Sequence, residues 1–369
     1  MIYLDYQATT PLAPEVREAM LPWLDKFGNP HSPHRIGREA AAAVDVAASQ
    51  VATLLGDDRA LGRTIFTSGA TEAANWALQG AVQGKRRKIV TVATEHACVL
   101  DTARWLGEHG AEIVVLPVQP NGLIDLAAAA ATIDARTALV AVMLVNNEIG
   151  VIQPIAELAA IAHEAGALFF CDAVQGAGRV DLPLEVCDLV AVTAHKIHGP
   201  KGIGALWLRG GLEWPTLIHG GGQQQGLRSG TLSPILCAGF GAAAALAQRR
   251  RDQDYLNINT LSAIADDLFK DWTVNGDRHA RYPGNRNLRR DGIDAGRLIS
   301  ELRDVAFSAG SACASGSGRP SHVLRALGLS DPQARASIRL GFGRYTTQEE
   351  LREAAGLINR AAARQLEWA

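Results

Sequence analysis

The chain has 369 residues, 47% hydrophobic and 20% charged, with aromatics at only 5%, a length and composition that exclude a peptide, a small module or a disordered tail. Thirty-six basic against 38 acidic side chains leave a formal charge of -2, which gives no electrostatic footprint for a nucleic acid or an anionic membrane surface as partner. Five cysteines, odd in number and without a CxxC pair, imply neither a disulfide framework nor a zinc site. In chain order, the pattern then predicts a strand over 63–67 and a helix over 71–82, entered through Ser68, Gly69 and Ala70. Short runs rich in β-branched residues follow at 88–93, 112–118, 138–145, 167–174, 189–194 and 203–208, with helices at 97–107 and 155–165 between them. This alternation predicts an α/β fold with a mostly parallel sheet covered on both faces.

An Ala-rich helix around 238–247 leads into the charged stretch 249–254, read as a boundary, and a last helix spans 347–366. The expected organisation is a large α/β domain over 15–250 and a smaller α+β domain made of 1–14 and 251–369. The smaller one carries an island of Ser, Ala and Gly at 308–318 around one cysteine, Cys313. The apolar run 138–145 is far too short to span a bilayer,. Residues 1–10 have neither a basic start nor an apolar signal core, so the expected location is the cytoplasm,.

In such a sheet, ligands bind beyond the C-terminal ends of the strands, so polar residues directly after apolar runs are the ones to inspect. His96 follows the run at 89–93, Asn146, Asn147 and Glu148 follow Val145, Asp172 and Gln175 end the next run, and Thr193, His195 and Lys196 follow Val192. Only six of the 36 basic residues are lysines. Lys85 and Lys88 flank arginines on what reads as a solvated turn, and Lys26 and Lys270 sit in polar helix-end contexts, leaving Lys196 and Lys201 near the site. A lysine that forms a Schiff base and an acid facing a pyridine nitrogen are what pyridoxal phosphate needs, and Lys196 and Asp172 fit those roles. The turn 67–72 offers backbone N–H groups at a helix start for the phosphate, although a plain helix cap looks the same.

The segments LDYQATTP (4–11), FGNPHSPH (27–34), FTSGATEAAN (66–75), TEHACVLD (94–101), VNNEIGVIQP (145–154), DAVQGAG (172–178), AHKIHGPKGIGAL (194–206), HGGGQQQGLRSGT (219–231), GSACASGSGRPSHVLRALGL (310–329) and SIRLGFGRYTT (337–347) together resemble cysteine desulfurases of the NifS/IscS type. The resemblance implies a fold type I pyridoxal 5'-phosphate enzyme, usually a homodimer, that takes sulfur from L-cysteine and leaves alanine. It implies Lys196 as the Schiff-base lysine, Asp172 at the pyridine nitrogen, His96 stacked on the ring and active in proton transfer, and Gln175 at the ring hydroxyl. Ala70, Thr71, Thr193 and His195 would hold the phosphate, with Thr231 arriving from the other subunit. Asn147 and Arg339 would hold the substrate, the arginine by a bidentate grip on its carboxylate. Cys313 would be the nucleophile that receives the sulfur as a persulfide and carries it to an acceptor protein, a task that suits an exposed Gly/Ser-rich loop.

Of the other cysteines, Cys171, Cys187 and Cys237 read as packing residues, as does Cys98, although it stands at a helix start where a thiol pKa can fall. His31, His34 and His198 lie in Gly/Pro-rich turns and read as solvated, and no histidine pair has a metal-ligand spacing,. The chain departs from the family pattern at Ala314, at Gly318-Arg319, at Gln223–Gln225 and at Thr193-Ala194. It departs most at 285–291, where NRNLRRD replaces an apolar strand and predicts a shortened or solvated edge. Selenocysteine lyase or plain aminotransferase activity are rivals on the same fold, and a non-catalytic sulfur-relay subunit is a rival of another class. A nucleophilic thiol, superfluous to transamination, favours the desulfurase.

Overall fold

The computed structural model describes residues 1–309 and 320–367. In chain order it contains β1 (Ile2–Tyr3), α1 (Pro14–Met20), α2 (Arg35–Leu54), β2 (Gly62–Thr67), α3 (Ala70–Ala81), β3 (Lys88–Val92), α4 (Ala97–Glu108), β4 (Glu112–Leu116), α5 (Leu126–Thr132), β5 (Thr137–Met143), α6 (Ile155–Glu164), β6 (Leu168–Asp172), β7 (Leu189–Thr193) and β8 (Gly204–Arg209). After the long α7 (Pro234–Leu268) come β9 (Thr273–Val274), β10 (Asn285–Arg289), α8 (Ala295–Glu301), β11 (Val305–Ala306), α9 (His322–Ala326), α10 (Asp331–Arg335), β12 (Ser337–Gly341) and α11 (Gln348–Glu367).

Seven strands form one sheet in the order β2-β8-β7-β6-β5-β3-β4. Only β8 runs against its neighbours β2 and β7, so the other six point the same way. The near-continuous apolar runs follow from that architecture, because helices cover both faces. Along β3, β5 and β7, successive residues join different cores: Val90, Val140 and Val190 pack with α2, α6 and α7, whereas Ile89, Leu139 and Leu189 pack with α3 and α4,.

The charged stretch 249–254, read as a boundary, lies within α7, a single 35-residue helix. Its charges are partnered within the helix and from beyond it, since Asp254 forms an ion pair with Arg250 four residues earlier at 3.5 Å and accepts from Arg344 at 2.7 Å,. The polar segment at 285–291 is no solvated edge. Its first five residues are β10, the central strand of an antiparallel sheet β12-β10-β9, and Asn285, Arg286 and Asn287 are buried.

Burial of those polar side chains is possible because each has partners far away in sequence. Asn285 Nδ2 donates to the Asn147 carbonyl at 3.2 Å, and Asn287 Nδ2 donates to the Glu148 carbonyl at 3.2 Å while its Oδ1 accepts from Asn275 at 2.7 Å. Arg286 makes two bonds to Asp266, at 2.8 and 3.0 Å, and a third to Ser262. β10 therefore buttresses the 146–149 turn from behind. Asn287→Ala strands two buried partners, and the expected result in urea unfolding is a loss of about 2–4 kcal/mol.

The N-terminal segment joins this smaller sheet to the large one. β1 pairs with β11, Asp5 bridges to Gly341, and the Thr10 N–H donates to the His195 carbonyl at 3.0 Å. Residues 5–10 are thereby drawn across the mouth of the large sheet. Gly341 permits the approach, because a Cβ there would fall 1.6 Å from Gln7 Oε1 and 2.9 Å from the Tyr6 nitrogen.

Candidate active site

The C-terminal ends of β2, β3, β5, β6 and β7 lie on one edge of the sheet, and each contributes a residue singled out from the sequence. The chain order reverses between β3 and β5, which makes this edge a topological switch point,. Asp172 is the last residue of β6 and is buried. Its Oδ1 accepts the Val174 N–H at 2.9 Å. Burial raises its pKa against the opposing pull of that N–H and of His96 and Lys196,.

Lys196 stands just past β7, and its Nζ donates to the carbonyls of Gln7 at 2.5 Å and Ala8 at 2.6 Å. Burial, reinforced by the Arg179 and Arg339 charges, brings its pKa down to about 7. Lys88 is not on a solvated turn but is buried at the start of β3, where it is paired with Asp134 at 3.0 Å and bonded to the Thr132 carbonyl at 2.6 Å. It is spent on structure, so the half-buried Lys196 remains the lysine at the strand ends.

His96 caps α4, with Nδ1 accepting the Cys98 N–H at 3.2 Å. That bond places the ring proton on Nε2. Burial lowers the His96 pKa, which keeps the ring neutral. Beside it, Glu95 is fully buried and accepts the Met143 N–H at 2.7 Å, and burial raises its pKa strongly, with Asp172 adding to the rise. A protonated Glu95 spares the site a second negative charge next to Asp172. Cys98 is half-buried, and burial pushes its thiol up, which overrides the helix start.

The turn between β2 and α3 provides a phosphate cradle. α3 starts at Ala70 behind Gly69 with no side-chain cap, so the first-turn N–H groups of Ala70 and Thr71 are available to an anion,. Gly204 of β8 lies under this turn: a Cβ there would fall 2.7 and 2.8 Å from Gly69 backbone atoms. Glu72 is turned away, accepting from the Ser68 N–H and pairing with Arg228 at 2.8 Å. Thr193 donates its hydroxyl to the Ile203 carbonyl at 3.0 Å, and His195 Nδ1 lies 3.1 Å from Thr9 Oγ1. Burial and the Lys196 charge push His195 down to about 4, so it can offer a phosphate a neutral N–H.

Arg339, at the middle of β12, is 1% exposed. Nη2 donates to Asp5 Oδ1 at 2.7 Å and to Ser308 Oγ at 3.1 Å, and Nη1 to the Asn147 carbonyl at 3.1 Å. Its Nε has no partner among the described residues. Asn147 is half-buried beside it. Gln175 gives Nε2 to the Gln7 carbonyl at 2.9 Å and takes Arg179 Nη1 on Oε1 at 2.7 Å.

Lys196, Asp172, His96, Gln175, Ala70, Thr71, Thr193, His195, Asn147 and Arg339 thus gather around the strand ends and the N-terminal segment. Thr231 is exposed, after Gly230 and outside this cluster's hydrogen bonds. Cys313 lies outside the described residues. His198, expected in solvent, is buried, with Nδ1 2.9 Å from the Pro11 carbonyl and its pKa pushed down to about 3 by burial. Sequence reasoning missed Gln7, Glu95, Arg179, Asn285 and Ser321. Only Glu95, adjacent to His96 at a strand end, carried a readable signal. Among the described residues, no group of three or more His, Cys, Asp or Glu is placed to hold a metal.

A buried carboxylate at the strand ends, a half-buried lysine with its pKa lowered to about 7 and an uncapped helix start fit pyridoxal 5'-phosphate, whose pyridinium, carbonyl and phosphate need those three features,. Asp172 in particular has a use for a cationic ring nitrogen, which would hold it ionised against its burial.

Comparison with known proteins agrees. Residues 2–353 match the aminotransferase class-V family model. A cysteine desulfurase IscS of Rickettsia bellii (strain OSU 85-389) is 46% identical over 371 residues, covering 97% of this chain and 90% of its own length. Among solved structures, a NifS-like protein superposes with a TM-score of 0.91 at 30% identity, over 98% of this chain and 99% of its own. A structure described as SspA in complex with cysteine superposes with a TM-score of 0.80 at 33% identity, over 94% of this chain and 100% of its own.

Proposed function

The chain belongs to the class V aminotransferase family and to its cysteine desulfurases, and on that premise we propose that the strand-end cluster takes sulfur from L-cysteine and passes it to Cys313. Bound pyridoxal 5'-phosphate, the cofactor of this family, supplies a carbonyl for the substrate amine and an electron sink for the bond broken at the α-carbon.

In this reading Lys196 is the base at the α-carbon. With its pKa brought down to about 7, a substantial share of its amine is uncharged near neutral pH, and the Gln7 and Ala8 carbonyls fix its direction,. Asp172 would hold the charge of the cofactor's ring nitrogen, and His96, neutral with its proton on Nε2, would take part in proton transfer,. Arg339 grips the substrate carboxylate from beside Asn147, and the α3 start with Thr193 and His195 anchors the phosphate. Gln175 reaches the ring hydroxyl by exchanging one of its present partners.

The observation that carries the Cys313 assignment is how the chain is held on either side of it. Ser308 donates to Asp5 Oδ1 at 2.8 Å and pairs with the Arg339 backbone. After the undescribed stretch, Ser321 donates to Glu148 and His322 Nε2 lies 2.9 Å from the Glu95 carbonyl. Both anchors are residues of the site, and five residues from Ser308 span at most about 17 Å. The thiolate attacks the substrate Sγ: a Cys313–sulfur bond forms, the C–S bond breaks, and the three-carbon product leaves as alanine after protonation.

Thr231, exposed on its loop, suits a contact across a homodimer, and the sulfur leaves on an acceptor protein. The free cysteines Cys98, Cys171, Cys187 and Cys237 suit a reducing cytoplasm,. No helix among the described residues is long and apolar enough to cross a membrane. The two domains, 15–250 and 1–14 with 251–369, would meet at this site.

The test is alanine and sulfide release from L-cysteine with a thiol reductant. Equal amounts of the two are expected, and alanine without sulfide would refute the reading. A second expectation concerns pH. Only a neutral amine attacks a carbonyl, so uptake of the cofactor by the apoenzyme should accelerate through about pH 7 and level off above it. An ordinary lysine would still be accelerating near pH 10. Stopped-flow absorbance across pH separates the two cases.

A further inference from the structure

Arg179 touches the site from behind and has no part in the chemistry above. It lies in the turn after β6, and its guanidinium spans three groups. Nη1 donates to Gln175 Oε1 at 2.7 Å, Nη2 donates to the Lys196 carbonyl at 2.5 Å, and Cζ sits 5.3 Å from the centre of the Tyr282 ring.

These bonds close a ring. Gln175 passes from Arg179 to the Gln7 carbonyl at 2.9 Å, the same carbonyl accepts Lys196 Nζ at 2.5 Å, and the Lys196 carbonyl returns to Arg179. Lys196 is held at both ends, by its amine and by its peptide. We propose that Arg179 is a positioning residue that clamps Lys196 and Gln175 in register for the desulfuration, an inference that rests on the assignment of Lys196 as the site lysine.

The charge of Arg179 acts in the same direction. No carboxylate pairs with it among the described residues, so its field is not cancelled locally. Around the Lys196 amine stand Asp5 and Asp172, which raise its pKa, and Arg179 and Arg339, which lower it, with His96 and His195 nearby. After burial, Arg179 is the largest influence keeping the amine neutral. Tyr282, buried between the 146–151 turn and β10, supports the far side of the guanidinium through its ring face,.

Three variants test this, read out by the pH midpoint of cofactor uptake, kcat, KM and melting temperature. For Arg179→Met, the pH midpoint of cofactor uptake by the apoenzyme should move upward, and kcat of the loaded enzyme should fall about 10- to 100-fold from lost alignment. KM for L-cysteine should hold, because Arg339 is untouched. Arg179→Lys keeps the charge and loses the fork, so its midpoint should stay near wild type while kcat is only partly restored. An unmoved midpoint and unchanged kcat in Arg179→Met would overturn the proposal. So would equal losses of melting temperature in both variants with the midpoint unmoved, since that is what a merely structural tie would give. Lys196→Ala separates the two levels: if it still takes up the cofactor with the same pH dependence, the lysine assignment itself has failed.

Discussion

Lys196→Ala should lose the visible absorbance band of the bound cofactor and release alanine from L-cysteine at least about 10³-fold more slowly than wild type. The lysine is asked to do two things, to carry the cofactor and to move a proton at the substrate α-carbon, and alanine can do neither. Its surroundings are arranged for both: burial and two arginine charges bring the amine to about pKa 7, and two carbonyls aim it. Lys201, exposed and five residues further on, cannot substitute. The measurement is a spectrum together with alanine release. A variant that stays yellow and keeps more than a tenth of wild-type activity would remove Lys196 from its role.

The second large effect concerns Arg339. Arg339→Ala should raise KM for L-cysteine about 100-fold, the value of one charge-assisted, bidentate carboxylate contact. The side chain is 1% exposed and already bonded to Asp5, Ser308 and Asn147. An incoming carboxylate therefore has to draw the guanidinium partly away from Asp5. Arg339→Lys keeps a charge opposite Asp5 but loses the planar fork, so it should fold like wild type and still show a KM about 10-fold higher. If both variants bind cysteine as wild type does, the carboxylate is held elsewhere.

Much of this site was legible from the sequence because the parallel sheet imposes its own punctuation. Apolar runs covered on both faces end abruptly at the edge where ligands bind, so Asp172, His96, Thr193 and Lys196 announced themselves as polar residues after such runs. The uncapped start of α3 was visible as a Ser-Gly-Ala turn, yet a plain cap would have looked alike.

The illegible parts depend on partners distant in the chain. Asn285, Arg286 and Asn287 read as solvated because nothing in their own segment can satisfy them; Asn147, Asp266, Ser262, Asn275 and Glu148 do so from elsewhere. The same holds for Gln7 and Arg179, whose task exists only once the N-terminal segment is laid across the strand ends. The charged run Arg249–Asp254, read as a boundary, lies within a long helix, where Arg344 stands opposite Asp254 at 2.7 Å.

The most direct test of the account is to incubate the holoenzyme with L-cysteine without reductant, block free thiols, and locate added sulfur by mass spectrometry of its peptides. The account predicts one extra sulfur atom on the peptide carrying Cys313, absent in Lys196→Ala, and none on Cys98, Cys171, Cys187 or Cys237. Alanine produced while Cys313 stays unmodified, or sulfur found on one of the other four, would contradict it.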